Sequence, residues 1–119
     1  MKIWITLGAL NAILAQATGA FGAHALRARL PAERLAVWQT GAQYHMYHAL
    51  GLVLVGLFAA QRNVSGNAPG IAMQTGIVLF SGSLYALALS GVRVLGAITP
   101  IGGVAFMVGW ASLAWMAWR

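Results

Sequence analysis

Four long runs of hydrophobic residues are separated by short polar segments along this chain. The runs cover residues 3–23, 43–60, 71–90 and 98–118. Each contains roughly 20 residues, the length at which a helix crosses a hydrocarbon core about 30 Å thick. Since a lipid-exposed backbone must satisfy its own hydrogen bonds, and the runs lack the alternating pattern of barrel strands, they predict helices. We therefore expect one all-α domain, residues 1–119, built as an antiparallel bundle of four transmembrane helices.

The segment RARLPAERLAVWQTGAQY, residues 27–44, is too polar to cross a membrane and too regularly patterned for a loop. Pro31 suits the first turn of a helix, where its missing N–H group is not needed. An interfacial amphipathic segment is predicted here, with Trp38 in the membrane interface and Arg34 in water. If its helix continued unbroken to Gln61 it would be ~46 Å long, so its beginning would project from the bilayer or bend.

The amino-acid composition also indicates a membrane protein. Hydrophobic residues make up 61% of the chain and charged residues 7%, against about 25% charged residues in ordinary soluble domains. The chain contains no cysteine, which excludes a disulfide framework and a thiolate metal site. The net charge of +6 predicts contacts with membrane lipids and their anionic headgroups, and nothing in the sequence resembles a nucleic-acid-binding module.

The basic residues divide almost evenly between the two ends of the predicted bundle. The end with both termini carries Lys2, Arg62 and Arg119, and the other end carries Arg27, Arg29, Arg34 and Arg93. Because short cytoplasmic loops are enriched in lysine and arginine, three against four favours both termini outside the cytoplasm.

Small residues recur at helical spacing and predict close contacts between helices. Gly8 and Gly19 belong to such a face in the first run, and Gly109 belongs to one in the fourth. In lipid these faces let helix backbones approach each other, because hydrophobicity alone gives no association there. Gly82, which lies between two serines, is also expected to allow close packing. The same glycine-rich apolar surfaces are compatible with a homo-oligomer.

Polar side chains within the hydrophobic runs concentrate toward one end of the predicted bundle. Chain direction alternates, so the first and third runs end where the second and fourth begin. In one leaflet this places a candidate ligand-binding pocket made of His24, Tyr44, His45, His48, Ser81, Ser83, Tyr85 and Thr99. The opposite half contains Thr6, Asn11, Gln74, Thr75 and Ser112. Since polar groups in a membrane usually face the bundle interior, the pocket is expected to hold a lipid, a small ligand or a protein partner.

The histidines of this pocket admit more than one interpretation. His45 and His48 are three residues apart and share one helical face. As neutral imidazoles they would hydrogen-bond across helices, for example to Tyr85 or Ser83. Together with His24 they would instead form a metal site, since imidazole suits Zn, Cu, Fe and Ni. A haem site and a proton-sensitive pocket are further alternatives. We expect no resident cofactor.

Catalysis has little support in the sequence, which favours a non-enzymatic protein. The chain shows no nucleophile with a recognisable base, no phosphate-binding loop and no pair of carboxylates within the runs. Two alternatives stay open. One is an oligomeric transport or channel component, although no internal repeat relates the two halves. The other is a metal-dependent membrane enzyme that uses His24, His45 and His48.

Four motifs carry a resemblance that extends over nearly the whole chain. They are GAFGAHAL at 19–26, WQTGAQYHMYHALGL at 38–52, LFSGSLYALALSG at 79–91 and LGAITPIGGVAFMVGW at 95–110. In this order they resemble the small bacterial inner-membrane protein family that includes YgdD and YwdK. The resemblance implies a multi-pass protein of the inner (cytoplasmic) membrane with a domain of unknown function. It supplies no activity and no catalytic residues.

Overall fold

The computed structural model describes residues 2–119, and most of them lie in long helices. The α-helices are α1 (Lys2–His24), α2 (Ala32–Arg62), α3 (Asn67–Gly76), α4 (Gly82–Ser90) and α5 (Thr99–Trp118). A π-helical turn, Ile77–Ser81, joins α3 to α4, and 3-10 turns cover Leu26–Ala28 and Arg93–Ala97. The described residues include no strand. The predicted all-α architecture is confirmed.

Neighbouring helices run in opposite directions, as expected for short connections. The indole Nε1 of Trp38, near the start of α2, donates to the carbonyl of Thr18, near the end of α1, at 2.7 Å. At the other end of the same pair, Gly8 of α1 faces Val53 of α2. The continuous rod of α3, the π turn and α4 then returns parallel to α1, and α5 runs antiparallel to that rod. The chain is an up-down-up-down bundle.

Three segments are long and apolar enough to cross a membrane: Lys2–Ala28, Asn67–Ser90 and Arg93–Trp118. α2 is not among them, because the polar stretch QYHMYH at 43–48 lowers the hydropathy of the predicted second span. At 31 residues it is nevertheless long enough, and it packs beside the other helices along its length. The architecture is therefore that of a polytopic membrane protein.

The predicted interfacial segment is the first part of α2 rather than a separate element. Pro31 is the residue before the first helical turn, and the helix continues unbroken to Arg62. With a rise of 1.5 Å per residue, its 31 residues extend ~46 Å. The bundle measures 48 Å along its longest axis, so α2 runs through almost its whole length. The helix predicted to begin at Pro31 therefore begins one residue later, at Ala32, and continues through the second hydrophobic run.

Two side chains at the start of α2 have contacts that the amphipathic prediction missed. Trp38, predicted to lie in the membrane interface, is buried in the protein against Leu26 and Ala88. Arg34, predicted to stay in water, donates from Nε to the Ala88 carbonyl at 2.8 Å and from Nη2 to the Leu89 carbonyl at 2.7 Å. The last carbonyls of a helix have no partner within it and attract cations. Arg34 therefore caps α4.

Glycines let α5 lie directly on the rod that contains the π turn. A Cβ atom at Gly102 would collide with the backbone of Phe80, and one at Gly76 would collide with the ring of Phe106. At Gly82 an added Cβ would meet nothing within 4 Å. The prediction of close packing at Gly82 is therefore wrong, and the close approach occurs at Gly102 and Gly76 instead.

We expect Gly102→Ala to lower the free energy of unfolding by about 1–3 kcal/mol, because the new methyl group must displace the Phe80 backbone. The matched change Gly82→Ala should leave it unchanged or raise it by up to about 1 kcal/mol, since alanine is the better helix former. Thermal unfolding in detergent, followed by circular dichroism, measures both. Equal melting temperatures for the two variants would contradict the contact.

Candidate functional site

His45 is a buried connection between three helices. Only 5% of the residue is exposed. Its Nε2 lies 3.0 Å from Oδ1 of Asn11 on α1, and its Nδ1 lies 2.9 Å from the hydroxyl of Tyr85 on α4. The Tyr85 hydroxyl in turn lies 2.9 Å from the hydroxyl of Thr18 on α1. One imidazole from α2 therefore joins α1 to α4.

The donors and acceptors of this network place a proton on Nε2 of His45. The Asn11 amide nitrogen donates to Gln74 Oε1 and to the Leu7 carbonyl, each at 2.8 Å. The Asn11 oxygen is therefore the acceptor for His45, which must carry a proton on Nε2. Its Nδ1 lies within hydrogen-bond distance of the Tyr85 hydroxyl. Both ring nitrogens of His45 are used.

His48 is held on another side of α2, against α5. Its Nδ1 lies 2.7 Å from the Tyr44 carbonyl and must donate to it. Its Nε2 accepts the indole N–H of Trp110 at 3.0 Å, and its ring stacks on Phe106 with centroids 3.4 Å apart. Because Nε2 is an acceptor, His48 is neutral, and both of its ring nitrogens are used. The two histidines contact different helices, although they are only three residues apart.

The serines of the predicted pocket also join helices. Ser81, at the end of the π turn, donates to the Gly41 carbonyl of α2 at 2.8 Å. Ser83 donates to the Phe80 carbonyl at 2.9 Å, and its oxygen lies 2.6 Å from the hydroxyl of Thr99 on α5. Among the described residues, no buried side-chain nitrogen or oxygen is left without a hydrogen-bond partner.

The eight predicted pocket residues are not gathered into one chamber. His24 is exposed at the end of α1, and Tyr44 is 38% exposed on the outer surface of α2. Asn11 and Gln74, assigned to the opposite half of the bundle, belong to the His45 network. The polar contacts therefore join the two predicted halves of the bundle instead of staying within one of them.

The structure does not bring together His24, His45 and His48, the residues of the alternative metal site. Within residues 2–119, no three histidine, cysteine, aspartate or glutamate side chains are placed to hold a metal ion. His45 and His48 each have both ring nitrogens in hydrogen bonds to other residues.

A groove opens on the outer surface between α2 and α5, with a volume of about 520 Å³. We call it the aromatic groove, and its lining residues are Tyr44, Tyr47, His48, Phe80, Gly103, Phe106, Met107 and Trp110. Ring contacts between Tyr44 and Phe80, at 4.9 Å, and between Phe80 and Phe106, at 5.3 Å, hold its wall. Of the lining residues, only Tyr44 and His48 belong to the predicted pocket. Phe106 and Trp110 are four residues apart and share one face of α5, which was a sequence signal for these two residues alone.

Long apolar helices joined by buried polar side chains define a helical integral membrane protein, and the comparisons with known proteins agree. The family described as "Protein of unknown function (DUF423)" matches residues 18–103. UPF0382 membrane protein YwdK of Bacillus subtilis is 54% identical over 115 residues, which cover 95% of this chain and 94% of the relative. A UPF0382 membrane protein of Staphylococcus saprophyticus is 53% identical over 113 residues, with 95% and 94% covered.

The chain belongs to this DUF423 family of membrane proteins. The resemblance carried by the four sequence motifs is thereby confirmed. No solved structure matches the chain.

We expect Tyr85→Phe to lower the free energy of unfolding by about 0.6–1.7 kcal/mol, the range for interhelical hydrogen bonds in membranes. The change removes the hydroxyl between His45 and Thr18 and keeps the ring. Tyr44→Phe is the matched control, because that ring lies on the outer surface. Thermal unfolding in detergent distinguishes the two, and a larger loss for Tyr44→Phe would contradict the assigned role of Tyr85.

Proposed function

We propose that this protein is a non-enzymatic lipid-binding protein of the inner (cytoplasmic) membrane, and that the aromatic groove holds an acyl chain of the bound lipid. The observation that carries the proposal is the groove itself. Its volume of about 520 Å³ falls within the roughly 300–1,000 Å³ of ordinary small-molecule sites, which are also mostly apolar and aromatic.

The chemistry of the groove favours a hydrocarbon chain over a polar ligand. His48 presents only its ring to the groove, because both of its nitrogens are bonded within the protein. The hydroxyl of Tyr47 accepts a hydrogen bond from Gln43 at 2.6 Å. Tyrosines are common at the membrane interface, where the ring is in apolar surroundings and the hydroxyl reaches water. A lipid would therefore lie with its polar end toward the tyrosines and its chain toward Trp110.

The polar residues inside the bundle act as connections between helices under this proposal. A general acid or base must reach a reacting group, and His45 is enclosed by Asn11 and Tyr85. The basic residues at both ends of the bundle would contact anionic headgroups. An inner-membrane location suits helical spans, because outer-membrane proteins of bacteria are typically β-barrels.

Cross-linking with a phosphatidylcholine that carries a diazirine in one acyl chain tests the groove. The full chain in nanodiscs should be labelled at Tyr44, Met107 and Trp110 more strongly than at Ile13, which is exposed on α1. Gly103→Leu should reduce labelling of the groove several-fold, because the leucine side chain would fill part of the groove. The position has room for it, since the nearest atom to a new Cβ is Cδ2 of Phe80, at 3.9 Å.

Gly82→Leu is the matched control, since it adds the same atoms at an exposed position where nothing lies within 4 Å of the new Cβ. It should leave groove labelling unchanged. Equal labelling of Ile13 and the groove, or no effect of Gly103→Leu, would reduce the groove to ordinary lipid-facing surface and overturn the proposal.

A further inference from the structure

A second cavity lies at the end of the bundle where α2 begins and α4 ends. Its volume is about 380 Å³. We call it the end pocket, and its lining residues are Glu33, Arg34, Val37, Leu87, Gly91 and Arg93. It shares no lining residue with the aromatic groove, so it is a separate candidate site from the acyl-chain site proposed above.

The end pocket brings charges of both signs together. Glu33 is the single acidic residue of the chain. Its neighbour Arg34 directs Nε and Nη2 to the carbonyls of Ala88 and Leu89 instead of neutralising it. The remaining nitrogen of Arg34, Nη1, lies 3.5 Å from the position of a Cβ on Gly91, within the pocket wall. Arg93 adds a second, exposed guanidinium.

The location of the end pocket matches the headgroup layer of a bilayer. One segment that is long and apolar enough to cross a membrane ends at Ser90 and the next begins at Arg93, so the pocket lies beside the connection between two candidate membrane spans. Val37 and Leu87 give it apolar walls. Gly91 has φ 73°, a left-handed conformation that favours glycine, and a side chain there would narrow the space beside Arg34.

We propose that the end pocket binds the headgroup of a zwitterionic phospholipid. The phosphate would bind Arg93 and the Nη1 of Arg34, and the amine would bind Glu33. Guanidinium groups form strong charge-assisted hydrogen bonds with phosphate. Glu33 would repel a purely anionic headgroup, and the apolar walls favour a headgroup that carries acyl chains over a soluble amine phosphate.

Native mass spectrometry tests this assignment. The full chain is released from nanodiscs that contain equal molar amounts of phosphatidylethanolamine and phosphatidylglycerol, and the lipids that stay bound are measured. Glu33→Gln should lower the ratio of retained phosphatidylethanolamine to phosphatidylglycerol roughly fivefold, the effect of losing one partly exposed ion pair. Glu33→Asp keeps the charge and should preserve the ratio. Arg93→Gln should reduce retention of both lipids, because both carry a phosphate.

Arg29→Gln is the matched control, since it removes a positive charge at the same end of the bundle but outside the pocket. It should leave retention of phosphatidylethanolamine unchanged, whatever it does to the anionic phosphatidylglycerol. An unchanged ratio in Glu33→Gln, or a loss of phosphatidylethanolamine in Arg29→Gln as large as that in Arg93→Gln, would overturn the proposal in favour of general attraction to charge. If an equal concentration of soluble phosphoethanolamine displaced the lipid, the end pocket would be a site for a soluble ligand, and the proposal of a phospholipid headgroup would be wrong.

Discussion

The hydrogen bonds of His45 are the interaction on which this bundle depends. In hydrocarbon, apolar side chains gain nothing by leaving lipid for protein, so close packing and polar contacts must hold the helices together. His45 bonds to Asn11 and Tyr85, and Asn11 bonds onward to Gln74. Each of these polar groups is a hydrogen-bond partner for its neighbour, and exposing the neighbour to lipid without a partner would cost free energy. The relative rotations of three of the membrane-crossing helices are thereby fixed together.

The same constraint explains why the candidate binding sites lie at the edges of the bundle. Inside, the polar groups are used by one another, and glycines such as Gly102 bring the backbones too close to leave a cavity. Open space remains between α2 and α5, where aromatic rings hold the surface apart, and at the end of α4, where the chain turns at Gly91.

Sequence reasoning identified the helices but not the directions in which their side chains point. Hydropathy and the position of Pro31 were sufficient for the fold class and for the start of α2, because both are local properties. The pairing of Asn11 with Gln74, 63 residues apart, depends on how two helices are rotated about their own axes. The depth of a residue along a helix can be counted from the sequence, but the direction of its side chain depends on how the helix packs against its neighbours. Trp38 was misplaced for this reason, since its buried side faces α1 and α4.

The π turn at Ile77–Ser81 sets the rotational phase of α4. Before the turn, residues of α1 form hydrogen bonds with residues of the rod that are 63 positions later in the sequence. The pairs are Trp4 with Asn67 and Asn11 with Gln74. Beyond it, the contact of Thr18 with Tyr85 has a separation of 67. If the same residues formed a regular α-helical turn, everything after them would be rotated by about 100°. This short segment therefore acts as a spacer, and the length of the chain there matters as much as its chemistry.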